Sequence, residues 1–174
     1  MNKKRILVNT VIIAWATVSV VLAIAILVLG IFGNKILSNN KNVTVYVENQ
    51  EALAGDSIKI PVYIDKNNGL WMGIVEFNYN ADVLEFVSCT TGDVFDGCEV
   101  NDTGNSVVFI VSQNDVKNTR ADGVMATLNF NVKKTVEKGE YALDIDGIDT
   151  EFCTVEEPEE LIKPKITDGV LTVK

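Results

Sequence analysis

Apolar and polar positions alternate along most of the chain beyond residue 42. From Trp71 to Tyr79, Trp71, Gly73, Val75, Phe77 and Tyr79 fall on one side of an extended backbone, and Met72, Ile74, Glu76 and Asn78 on the other. This period of two predicts a half-buried strand, because successive side chains of a strand point to opposite faces. Asn80-Ala81-Asp82 interrupts it with turn residues. The pattern resumes from Val83 to Val87 and stops at Thr91-Gly92-Asp93. The same reading predicts strands at 43–48, 57–65, 98–101, 106–113, 123–133, 141–146 and 169–173. Pro61 has no N–H to give a ladder, so it predicts an edge or a bulge in its strand. The charged stretch from Thr154 to Lys165, with Pro158 and Pro164, reads as a loop with room for a helical turn. Nine short strands separated by turn signals predict an all-β antiparallel sandwich.

The N-terminal part has a different pattern. Lys3-Lys4-Arg5 precedes an uncharged run from Val11 to Phe32 in which Thr17 and Ser19 are the polar members. At about 1.5 Å per helical residue the run spans a hydrocarbon core of roughly 30 Å. A cleaved signal peptide is the competing reading, since Ala23-Ile24-Ala25 has the small-x-small shape of a cleavage site. The apolar run continues past it, however, and exceeds the usual h-region of about 7–15 residues. The expected organisation is a cytoplasmic basic N-terminus (1–10), a transmembrane signal anchor (11–33), a polar linker (34–42) and a β-sandwich (43–174). The basic cluster predicts a single-pass cell-membrane protein with its domain outside.

Charge and composition narrow the function. All 24 Asp and Glu lie beyond residue 33, with 12 of the 15 Lys and Arg, so that part carries a net charge of −12. Such a domain repels nucleic acid and anionic membrane surfaces. The chain has no His. That removes the commonest general base and metal ligand, and no enzyme is expected. The run Asp144-Ile145-Asp146-Gly147-Ile148-Asp149-Thr150-Glu151 fails EF-hand spacing, because its Gly comes too early and no acid closes the loop. It reads as a strand end and a turn, with no resident metal. Cys89 and Cys98 flank a loop between consecutive strands, which leaves a bridge open; the alternative is that they and Cys153 are small buried hydrophobes.

Four segments in order resemble one known family. They are Ala54-Gly55-Asp56-Ser57-Ile58-Lys59-Ile60-Pro61-Val62; Tyr79-Asn80-Ala81-Asp82-Val83-Leu84-Glu85-Phe86 followed by Gly92-Asp93; Asp122-Gly123-Val124-Met125-Ala126-Thr127-Leu128; and Thr167-Asp168-Gly169-Val170-Leu171-Thr172-Val173. Together they resemble the cohesin domain of bacterial cellulosome scaffolds. Asn80 and Ala81 stand where that family usually has Asp and Pro. The resemblance implies a nine-stranded flattened jelly roll. It also implies docking of a dockerin-bearing enzyme or scaffold protein on a flat face formed by the third, fifth, sixth and eighth strands. Calcium would reside on the dockerin, not here, and polysaccharide would be met only indirectly, through cellulosome-type assembly in polysaccharide catabolism. The positions resembling family contacts are Met72, Ile74, Asn101, Ile110 and Gln113.

The alternation reaches an overlapping set. If Trp71, Val75, Phe77 and Tyr79 fill the core, Met72, Ile74, Glu76 and Asn78 point outward, and Val108, Ile110 and Ser112 do so on the sixth strand. A contiguous exposed apolar patch of this kind marks an interaction surface. Two alternatives are a carbohydrate-binding sandwich, for which Tyr46, Tyr63, Phe95, Tyr141 and Phe152 are the available aromatics, and a structural cell-surface protein assembling by strand addition.

Overall fold

The architecture follows from the alternation. In the computed structural model, residues 43–67, 69–114, 121–154 and 161–174 are described. The expected transmembrane segment and linker lie outside them. Every regular element among the described residues is a strand. In chain order these are β1 (Thr44–Val47), β2 (Gln50–Ala52), β3 (Ser57–Asp65), β4 (Leu70–Asn78), β5 (Leu84–Thr91), β6 (Gly97–Asp102) and β7 (Ser106–Ser112). They continue as β8 (Gly123–Val132), β9 (Gly139–Ile145), β10 (Glu151–Thr154), β11 (Leu161–Ile162), β12 (Lys165–Thr167) and β13 (Gly169–Val173). Among the described residues, thirteen strands therefore replace the nine expected. The additional ones are β2, β10, β11 and β12, each two to four residues long.

Two sheets form. The first runs β12-β1-β3-β8-β5. The second runs β11-β10-β4-β9-β13-β2, with β7 on the other side of β4 and β6 beyond it. Two pairings are parallel, β1 with β12 and β13 with β2; the others are antiparallel. Pro61 sits in an interior strand, not at an edge. The β1 pairing stops at Val62, and a bulge in the β3–β8 ladder follows between Val62 and Tyr63, which accommodates the missing donor.

The inward residues of both sheets make one core. Phe77, Phe109, Phe130 and Phe152 are its largest buried side chains. Phe130 is central, with ring centroids 4.9 Å from Tyr79, 5.5 Å from Phe86 and 6.0 Å from Phe77. Trp71, expected in the core, is only half-buried; Leu70 fills that end instead.

Local chemistry sets the turns that aim β4 and its neighbours. Asn80 closes the turn after β4, its side-chain oxygen accepting from Asp82 N at 2.9 Å and its carbonyl from Val83 N at 3.0 Å. The β6–β7 hairpin turns at Gly104, whose φ of +94° is open to a residue without Cβ, and Asp102 Oδ1 accepts from Gly104 N at 2.9 Å. Buried Asn67 ties the entry of β4 to the entry of β8. Its Oδ1 accepts from Leu70 N at 3.1 Å and its Nδ2 donates to Ala121 O at 3.0 Å.

Candidate functional site: the open face of β4, β7 and β6

Register places the expected contact residues in rows. Directly opposed residues of an antiparallel pair share a face. Met72 lies opposite Ser112, Ile74 opposite Ile110, and Glu76 opposite Val108. On the next strand Glu99 lies opposite Ile110, and Asn101 opposite Val108. The inward partners on the same strands, Val75, Phe77, Val107, Phe109 and Val111, are fully buried, so these rows necessarily face out. Ile74 and Ile110 are each 37% exposed, Asn101 is exposed, and Met72, Glu76 and Val108 are half-buried. Six of the seven sequence-predicted residues thus share one surface.

Gln113 does not. It follows Val111 on the inward side and is 6% exposed. Its Nε2 donates to Val94 O and its backbone N to Trp71 O. A side chain held in this way is not offered to a partner on the outer face.

Two further strands widen the surface. β10 pairs with the first half of β4, setting Glu151 opposite Ile74 and Cys153 opposite Met72. β11 adds Leu161 opposite Cys153, at 66% exposure. The expected eighth strand, here β9, meets β4 only at Phe77 and Asn78. The strand flanking Ile74 is therefore β10, which is not among the strands predicted from the sequence. Its signal was a four-residue alternation in which Phe152 and Thr154 are buried and Glu151 and Cys153 are not.

The face is apolar along its middle and acidic around it. Glu76, Glu99 and Glu151 flank the isoleucines, and Lys163 pairs with Glu151 at 3.3 Å while its Nζ also donates to Ile148 O. Glu76 joins Asp146 and Asp149, with ligand oxygens all within 4.8 Å of one another. Asp146 Oδ1 in this trio is already used, accepting from Ile148 N at 2.7 Å and Asp149 N at 3.2 Å. The turn reading of this segment holds: β9 ends at Ile145 and β10 begins at Glu151.

The aromatics that a sugar-binding face would need are not assembled. Phe95 and Phe152 are buried. Tyr46 and Tyr63 stack on each other on the outer side of the other sheet, centroids 4.9 Å apart, so each covers a face of the other. Tyr141 donates its hydroxyl to Glu137 O at 2.8 Å.

The family model for the cohesin domain matches residues 43–173, the whole sandwich. The chain belongs to the cohesin family. A relative among characterised proteins, cellulose-binding protein A of Clostridium cellulovorans, is 28% identical over 113 residues, which is 62% of this chain. The match spans only 6% of that relative's length. Among solved structures, that of CaCohA2 from Clostridium acetobutylicum superposes with a TM-score of 0.68 at 20% identity, covering 78% of this chain and 92% of that one. A type I cohesin–dockerin complex from Clostridium thermocellum gives 0.67 at 18% identity, over 76% of this chain and 99% of that one. The cohesin fold thus accounts for both sheets, and β4, β7 and β6 carry its open apolar face.

Proposed function

We propose that this cohesin domain is a docking module that binds a dockerin-bearing enzyme or scaffold protein through the outer face of β4, β7, β6 and β10, without catalysis of its own. One observation carries this reading. In a cohesin sandwich, Met72, Ile74, Val108 and Ile110 form a continuous apolar row on an open sheet face. Solvent faces of antiparallel sheets are ordinarily polar, and a row of this kind is stable in water when a partner covers it. The finer parts of the proposal are that the N-terminal apolar run holds the module at the outer cell surface, that calcium sits on the dockerin, and that polysaccharide is reached only through the partner.

Burying one isoleucine contributes about 1.5–3 kcal/mol before association costs, and a carboxylate in its place must be desolvated as well. Ile74→Asp and Ile110→Asp are each expected to weaken dockerin capture at least about 30-fold in titration calorimetry. Both sites are partly exposed, so circular dichroism should show an unchanged fold and a Tm lower by only a few degrees. Wild-type affinity in both variants would refute this face as the docking surface.

A further inference from the structure

The docking face leaves two cysteines unused, and they meet across the sandwich. Cys89 lies on β5, the edge of the first sheet, and Cys98 on β6, the edge of the second. Cys98 is opposite Val111, which is fully buried, so its thiol faces inward. Simple alternation from Leu84 and Phe86, both inward, would turn Cys89 outward. A bulge between Phe86 and Ser88 inserts Val87 as an extra residue and reverses the parity. Cys89 consequently sits opposite buried Leu128 and packs on the core. The two sulfurs are 2.8 Å apart, one thiol donating to the other, and a bond of about 2.05 Å needs only a small further approach. Cys153 takes no part, since it faces outward beside Met72.

We propose that Cys89 and Cys98 are a redox-active pair that closes to a disulfide, covalently joining the two sheets at the β5–β6 edge. The oxidant is a disulfide, borne by a thiol oxidoreductase or by a small thiol. One thiolate attacks it to form a mixed disulfide and release a first thiolate. The other cysteine then attacks its neighbour's sulfur and releases the second. Two electrons and two protons leave the pair, and the oxidant becomes two thiols. The shared hydrogen bond shifts the two thiols in opposite directions. It holds Cys98 below the usual thiol range against the opposing effect of burial, and it pushes Cys89 up, with burial adding to the rise. Whichever sulfur is the thiolate makes the attack. The bond encloses a short loop and fixes β6, the strand that carries Glu99 and Asn101. The pairing stands on the thiol geometry alone and does not require the docking reading.

The test uses the full chain, kept in detergent for its apolar N-terminal run, with Cys153→Ser to leave the pair alone. After equilibration with oxidised glutathione, intact mass should fall by two hydrogens and neither thiol should alkylate. Proteolysis should yield a peptide joining Cys89 to Cys98. The Tm should rise by about 5–15 °C, return on adding dithiothreitol, and not rise in a Cys98→Ser variant. The same mass and peptide mapping on the unsubstituted chain needs no variant to fold. Two thiols that still alkylate fully, or products limited to glutathione adducts and crosslinked dimers, would overturn the proposal.

Discussion

Tyr79 follows β4 with its ring in the core, edge-on to Phe130, and its hydroxyl reaching out to Asp102 Oδ1 at 3.0 Å. Burial raises its pKa first; the hydrogen bond to Asp102 and that carboxylate's charge raise it further, to about 12. The folded state therefore holds this proton more tightly than the unfolded chain, whose tyrosines titrate near 10. A raised pKa gives stability that is complete below about pH 10 and lost as the pH rises towards 12. Urea unfolding measured from pH 9 to 12 should show this loss, and Tyr79→Phe should flatten it. At neutral pH the same substitution is expected to cost about 0.5–1.5 kcal/mol, because Asp102 keeps the Gly104 N–H as a donor. Residue-level parity was largely legible in the sequence. Val107, Phe109 and Val111 already put Gln113 on the inward side, and the contact set implied by family resemblance moved it to the wrong face. Cys89 was not legible, because the bulge at Val87 that turns it inward depends on where β8 pairs, not on any local pattern.

Among elements, β10 is the one on which the face depends, and Gly73 is what admits it. Gly73 pairs with Phe152, and a Cβ at 73 would lie 2.1 Å from Phe152 Cδ1. The fully buried Phe152 ring occupies the space that any side chain at 73 would need. Gly73→Ala is expected to lose about 1–3 kcal/mol in urea unfolding, as overpacking does. It should also speed hydrogen exchange of the 151–154 amides as β10 is displaced from Ile74 and Met72. Gly147→Ala is the control: its Cβ would meet Ile166 Cγ1 at 3.4 Å, an ordinary contact, and stability should change by less than about 0.5 kcal/mol. Equal effects of the two substitutions would remove this account of β10. The long strands β3, β4, β7 and β8 could be read from sequence because seven or more residues of alternation cannot easily arise otherwise. β2, β10, β11 and β12 could not, since over two to four residues a period of two is indistinguishable from chance. Their conformation comes from the neighbouring strand that pairs with them.

For the whole molecule, the proposed docking face has to be weighed with its charge. The chain carries −9 overall, and the apolar row is bordered by Glu76, Glu99 and Glu151. Among the described residues, Glu151 alone of the three has a basic partner, Lys163 across the β10–β11 edge. A partner that covers Ile74 and Ile110 must also approach these carboxylates, which favours one presenting Lys or Arg around an apolar centre. Such an arrangement divides the work: the buried apolar contacts set how slowly the complex separates, and the charges speed encounter. Raising ionic strength from about 0.1 M to about 1 M shortens the screening length from about 10 Å to about 3 Å. The association rate measured by surface plasmon resonance should then fall about tenfold, with the dissociation rate little changed. Glu76→Gln with Glu99→Gln should lower the low-salt association rate and remove most of its salt dependence, while Ile110→Asp should act mainly by raising the dissociation rate. Association that is indifferent to salt, or that strengthens with it, would mean that the carboxylates merely solvate the rim and that the apolar row alone selects the partner.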